Sequence, residues 1–130
     1  MRKFKQNKLW RDKIIDMLEN HGSVIHWRRL DDAEFDTQIR IKLIEEAQEV
    51  AAAKDRVELI GELADMYEVI DSIARLHAIQ KEEIIAIQSQ KRTKRGGFSG
   101  RTFVDTAEHP TGSLGETYCL ADPEKYPEVK

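Results

Sequence analysis

Apolar residues recur along most of the chain at three- and four-residue spacing, the period of an amphipathic α-helix. Leu9, Trp10, Ile14, Met17 and Leu18 line one side of a first helix expected over about Leu9 to Asn20, with Gly22 as its stop signal. Leu30-Asp31-Asp32 opens a second helix running to about Ala53. Either aspartate suits its N-cap and the positive end of its dipole. Phe35, Ile39, Leu43, Val50 and Ala53 share one face of that helix. A third helix, about Arg56 to His77, carries Leu59, Met66, Val69, Ile73 and Leu76 on one side and Val57, Ile60, Ala64 and Tyr67 on another. A helix apolar on two sides belongs at the centre of a fold or at an oligomer interface. A fourth helix, about Gln80 to Thr93, is amphipathic through Ile84, Ile85 and Ile87. Gly96, Gly97 and Gly100 then end helical character, and the remainder reads as irregular. The pattern predicts an all-α bundle of about four main helices over residues 1–103, followed by an irregular tail over 104–130.

Four acidic positions break this pattern. Glu46 and Glu49 fall in the apolar stripe of the second helix, and Glu62 and Asp65 in that of the third. Each pair is spaced i, i+3, so its carboxylates share a helix face. If the chain reverses at Lys54-Asp55-Arg56, Glu49 comes level with Glu62 and Glu46 with Asp65. Four carboxylates then converge within about one helical turn, roughly 5 Å. Like charges so placed repel one another, and acidic residues are rarely buried without a partner. An all-oxygen set of this kind suits a hard divalent cation, Mg²⁺ or Mn²⁺. The competing reading is a solvated acidic face, with Lys42 as partner of the first pair and Arg56 near the turn. Glu68 and Asp71 repeat the spacing on the opposite side of the third helix and read as solvent-facing.

A basic run, Lys91, Arg92, Lys94, Arg95 and Arg101, crowds the end of the fourth helix and the glycines after it. Such a run compensates a helix dipole or grips phosphate through fork-shaped arginines, mobile lysines and close-approaching glycine backbone. Arg11-Asp12-Lys13 offers a second polyphosphate contact. A carboxylate cation site beside a basic phosphate grip is the division of labour of a Mg-nucleotide enzyme.

Composition narrows the class further. The 130 residues carry a formal net charge of −3, which argues against nucleic-acid binding driven by charge alone. A single cysteine, Cys119, allows no intramolecular disulfide and no zinc site built on several cysteines. No stretch has the length or apolarity of a signal peptide or membrane span, so a cytoplasmic location is expected. The four histidines lack metal-ligand spacing, and no Glu-x-x-His, Walker A or Gly-x-Ser-x-Gly motif occurs.

Glu45-Glu46-Ala47-Gln48-Glu49 followed by Glu62-Leu63-Ala64-Asp65 resembles the EExxE…ExxD signature of the all-α nucleoside triphosphate pyrophosphohydrolases, the MazG-like superfamily. Lys8-Leu9-Trp10-Arg11-Asp12-Lys13-Ile14 and Lys94-Arg95-Gly96-Gly97-Phe98 are similar to the opening and closing motifs of its phosphoribosyl-ATP pyrophosphohydrolase-like branch, although Ile15 stands where that branch often has proline. The resemblance implies hydrolysis of a nucleoside triphosphate to monophosphate and pyrophosphate, in nucleotide-pool house-cleaning. Glu46, Glu49, Glu62 and Asp65 would hold the metal, and Glu45 would orient the attacking water. Arg11, Lys13, Lys91 and Arg95 would bind the triphosphate. It also implies a homo-oligomer, a dimer or tetramer. Phosphoribosyl-ATP is an alternative substrate on the same fold. A non-catalytic helical oligomer and a partner-binding helical module are the alternatives outside enzymology.

Overall fold

The computed structural model describes residues 1–130 and is entirely helical, with no strand. Five helices follow in order: α1 Ile14–Glu19, α2 Asp32–Ala52, α3 Arg56–Leu76, α4 Lys81–Arg95 and α5 Leu114–Leu120. None is long and apolar enough to cross a membrane. The chain divides into two compact units, Met1–Thr93 and Lys94–Lys130.

The first unit is organised by an antiparallel hairpin of α2 and α3. Asp31 begins α2 as its N-cap, its carboxylate accepting the Glu34 N–H at 2.8 Å. Only three residues separate the two helices. Ala53 turns extended, and Asp55 starts α3 by accepting the Glu58 N–H at 2.8 Å. Glu58 reaches back to accept the Lys54 N–H at 2.9 Å. These reciprocal bonds satisfy donors that a helix start leaves open, and so fix where the turn falls. Ile39 on α2 and Val69 and Ala74 on α3 form the buried centre. At the open end of the hairpin, His77 Nε2 meets Asp36 Oδ1 at 2.8 Å, and Arg40 donates to the same oxygen at 3.0 Å.

Much apolar surface stays uncovered. The second side of α3 lies open through Val57, Ile60 and Tyr67, Val57 being 81% exposed. On α2, Ile41 and Ile44 are likewise exposed, as are Ile84, Ile85 and Ile87 on α4.

The first helix is shorter than its apolar spacing predicts. Leu9 and Trp10 precede it, and the chain enters helix only through a turn closed by the Ile14 N–H on the Arg11 carbonyl at 3.1 Å. Gly22, at φ +94°, ends the segment as expected, with the Ser23 N–H returning to the Leu18 carbonyl.

The second unit is mostly irregular, as expected, and adds one short helix, α5, that the residue pattern does not predict. Ser113 caps α5 by accepting the Glu116 N–H at 3.3 Å, and Glu116 accepts the Gly112 N–H at 3.0 Å. The His109 ring lies so close to Gly115 that a Cβ there would run into it. Tyr118 on α5 meets Tyr126 beyond it, with the ring centroids 5.5 Å apart and the planes tilted by 46°.

Candidate metal centre

The three-residue turn makes α2 and α3 near mirror images about it, and this brings the two acidic pairs together. One carboxylate oxygen from each of Glu46, Glu49, Glu62 and Asp65 lies within 4.8 Å of the other three. Glu46 is the anchor, only 5% exposed and the one charged residue buried in the protein. Glu62 and Asp65 are half-buried and Glu49 is exposed, so the cluster opens to solvent on the Glu49 side. Glu68 and Asp71 lie outside the cluster, and Glu68 pairs with Arg75 at 3.5 Å.

The electrostatics mark Glu46 as strained. Burial pushes its carboxyl above the ordinary carboxylate range, Glu49 and Asp65 push it the same way, and Lys42 opposes them weakly from 3.5 Å. Glu46 Oε2 and Glu62 Oε2 are buried with no hydrogen-bond partner. A buried carboxylate oxygen without a donor costs on the order of 1–3 kcal/mol or more.

Two orphaned oxygens within one four-carboxylate cluster fit a divalent cation. Opposite ligands lie about 4.2 Å apart across Mg²⁺ and about 4.8 Å apart across Ca²⁺, given their metal–oxygen distances. The donor set is hard and all-oxygen, as Mg²⁺ and Mn²⁺ require, and contains no thiolate or imidazole.

Glu45 stands beside the cluster on α2. Lys8 and Lys42 both approach its Oε1, at 3.3 and 3.5 Å. The N-terminal segment thus reaches the hairpin. Arg11 does so again with an ion pair from its guanidinium to Asp65 Oδ1 at 2.6 Å. Of the four basic residues expected to meet a triphosphate, Arg11 stands at the cluster. Lys13 is exposed at the start of α1 and forms no ion pair. Lys91 is exposed on α4, and Arg95, the last residue of α4, belongs to the second unit.

Lys8 is the functional candidate that residue patterning missed. Its placement depends on how the segment before α1 crosses the hairpin, which no periodicity encodes. The signal that could have found it is its place at the head of the Lys8-to-Ile14 stretch that resembles a known opening motif.

Comparison of the chain with protein-family profiles, with curated proteins and with solved structures finds no match.

Proposed function

We propose that the protein is a divalent-cation-dependent nucleotide pyrophosphohydrolase that converts a nucleoside triphosphate to its monophosphate and pyrophosphate. The observation that carries this reading is the convergence of Glu46, Glu49, Glu62 and Asp65 around buried oxygens that have no partner. A stability role gives no reason to pack four carboxylates together at the turn end of the longest helix pair. The resemblance of the two acidic motifs to the MazG-like signature supplies the reaction class.

In this reading the four carboxylates hold Mg²⁺ or Mn²⁺. The cation would polarise phosphoryl oxygens and offset the charge that develops during attack. Glu45 contributes at the edge. Lys42 engages its Oε1 from three residues earlier on α2, which orients the side chain and leaves Oε2 to take the proton of the attacking water. Arg11 and Lys8 supply positive charge on the substrate side, where a triphosphate needs it. Lys13, Lys91 and Arg95 enter this reading through the resemblance alone.

The exposed apolar faces favour a homo-oligomer within the same reading. The first unit alone buries few side chains fully, while Val57, Ile60 and Tyr67 on α3 and Ile41 and Ile44 on α2 stay open. A second copy of the hairpin is the occupant we propose, packing helix pair on helix pair. Sedimentation should give a dimer or tetramer that Tyr67→Glu shifts toward monomer; a monomeric wild type would remove this part of the reading.

The test of the activity is a panel of ribo-, deoxy- and modified nucleoside triphosphates plus phosphoribosyl-ATP, assayed with Mg²⁺ and with chelator. Pyrophosphate and orthophosphate release are measured separately. Metal-dependent pyrophosphate release on any member is the expected result. A folded, metal-loaded protein silent across the panel would move the reading to a non-catalytic helical oligomer.

A further inference from the structure

The segment before α1 touches the carboxylate centre at two points. Lys8 Nζ lies 3.3 Å from Glu45 Oε1, and the Arg11 guanidinium lies 2.6 Å from Asp65 Oδ1. Between them Leu9 and Trp10 are half-buried, as are Ile14 and Ile15 beyond. The apolar residues seat the segment while both cations remain exposed at its rim. Lysine and arginine often divide in this way, with a packed stem and a free head.

The charges around the centre nearly balance. Glu45, Glu46, Glu49, Glu62 and Asp65 face three cations, Lys8, Arg11 and Lys42. Two negative charges are left over, the charge of one divalent cation. The three cations are not equivalent. Lys42 sits on α2 itself, three and four residues before its partners, and is the least exposed of them. Lys8 and Arg11 come from outside the hairpin, and their paired heads remain exposed to solvent. A guanidinium on Asp65 opposes a second cation on the same carboxylate, because like charges within a few ångströms repel. A triphosphate offers the guanidinium better partners, since arginine binds phosphate oxygens in a fork.

We propose that Lys8 and Arg11 are specificity-determining counter-charges that make cation uptake at the carboxylate centre favour a metal–polyphosphate complex over the bare cation. They hold Glu45 and Asp65 against the free ion and transfer to the outer phosphates when a polyphosphate arrives with it. The inference rests on the reading of the cluster as a divalent-cation centre. It adds that discrimination against nucleotides with fewer phosphates originates in the segment before α1. A monophosphate brings too little charge to draw both cations off their carboxylates.

The test uses the full chain and two titrations, one with Mn²⁺ alone and one with preformed Mn²⁺–tripolyphosphate. Arg11→Gln should bind Mn²⁺ alone about tenfold more tightly and the polyphosphate complex about tenfold more weakly, a coupling of ordinary size. Lys8→Gln should shift both in the same directions by less. Arg11→Lys should restore much of the wild-type pattern. A residue that merely orients Asp65 would, when removed, weaken both titrations. That result, or two unchanged titrations in Arg11→Gln, overturns the proposal while leaving the cation centre intact. Glu46→Gln is the separate control. If it binds Mn²⁺ as the wild type does, the cation centre itself is wrong and this inference falls with it.

Discussion

The two ends of the α2–α3 hairpin hold acidic side chains in opposite conditions. At the open end, Asp36 accepts from His77 and Arg40, and these bonds hold its carboxyl below the ordinary carboxylate range. At the turn end, Glu46 lies among other carboxylates with one oxygen unpartnered, and burial pushes it up. Both residues are on α2, and both face α3. What differs is the partner that α3 presents, an imidazole at one end and Glu62 and Asp65 at the other. An acid whose partners all lie within the fold contributes to stability. An acid that the fold leaves without a partner lowers stability, and the deficit points to a ligand outside the chain.

The most damaging change should be at the unsatisfied end. Glu49→Gln keeps the shape and the exposed position of the side chain, so helix content by circular dichroism should be unchanged. Turnover should fall by at least about a hundredfold, as expected for a ligand rather than a supporting residue. Wild-type turnover in Glu49→Gln would end the assignment of this cluster as the active centre.

A smaller effect of the opposite sign should follow at Glu46 in the presence of chelator. Glutamine mimics the protonated carboxyl that this environment favours, and it relieves the repulsion from Glu49 and Asp65. Glu46→Gln should therefore raise the melting temperature at neutral pH by a few degrees while abolishing cation-induced stabilisation. A drop in melting temperature would mean that Glu46 is held by the fold, and the contrast between the two ends would disappear.

The open end should respond more weakly and in the other direction. Asp36 is held below its ordinary value of 3.8, so its contribution is present above that pH and is lost as pH falls through the folded value. Asp36→Asn should lower the melting temperature slightly at neutral pH. The difference from wild type should shrink on acidification below about pH 4, where the wild-type carboxyl also becomes neutral. An equal difference at all pH values would assign the effect to packing rather than to charge.

The hairpin was legible in the sequence because local rules and global packing agree there. Asp31 and Asp55 are cap residues followed by long apolar stripes, and the turn between the helices is too short to allow anything but reversal. Mirror placement of the acidic pairs about that turn was therefore enough to bring them together. The uncovered second side of α3 was legible for the same reason. α5 was not, although Ser113-Leu114-Gly115-Glu116 carries a capping-box signature. A glycine inside so short a segment weakens the helical pattern. In the structure that glycine instead gives the His109 ring room to lie against the helix. The landing of Lys8 and Arg11 was illegible in a deeper sense, since it depends on a non-helical crossing held by tertiary contacts.

The central claim is that the unpartnered carboxylates at the turn end form a cation site, and electron paramagnetic resonance of Mn²⁺ titrated into the full chain tests it most directly. The account predicts one tightly bound ion per chain, lost in Glu46→Gln and in Glu62→Gln, and retained when the pair outside the cluster is neutralised as Glu68→Gln with Asp71→Asn. Equal binding by all of these variants, or loss only when Glu68 and Asp71 are changed, would contradict it.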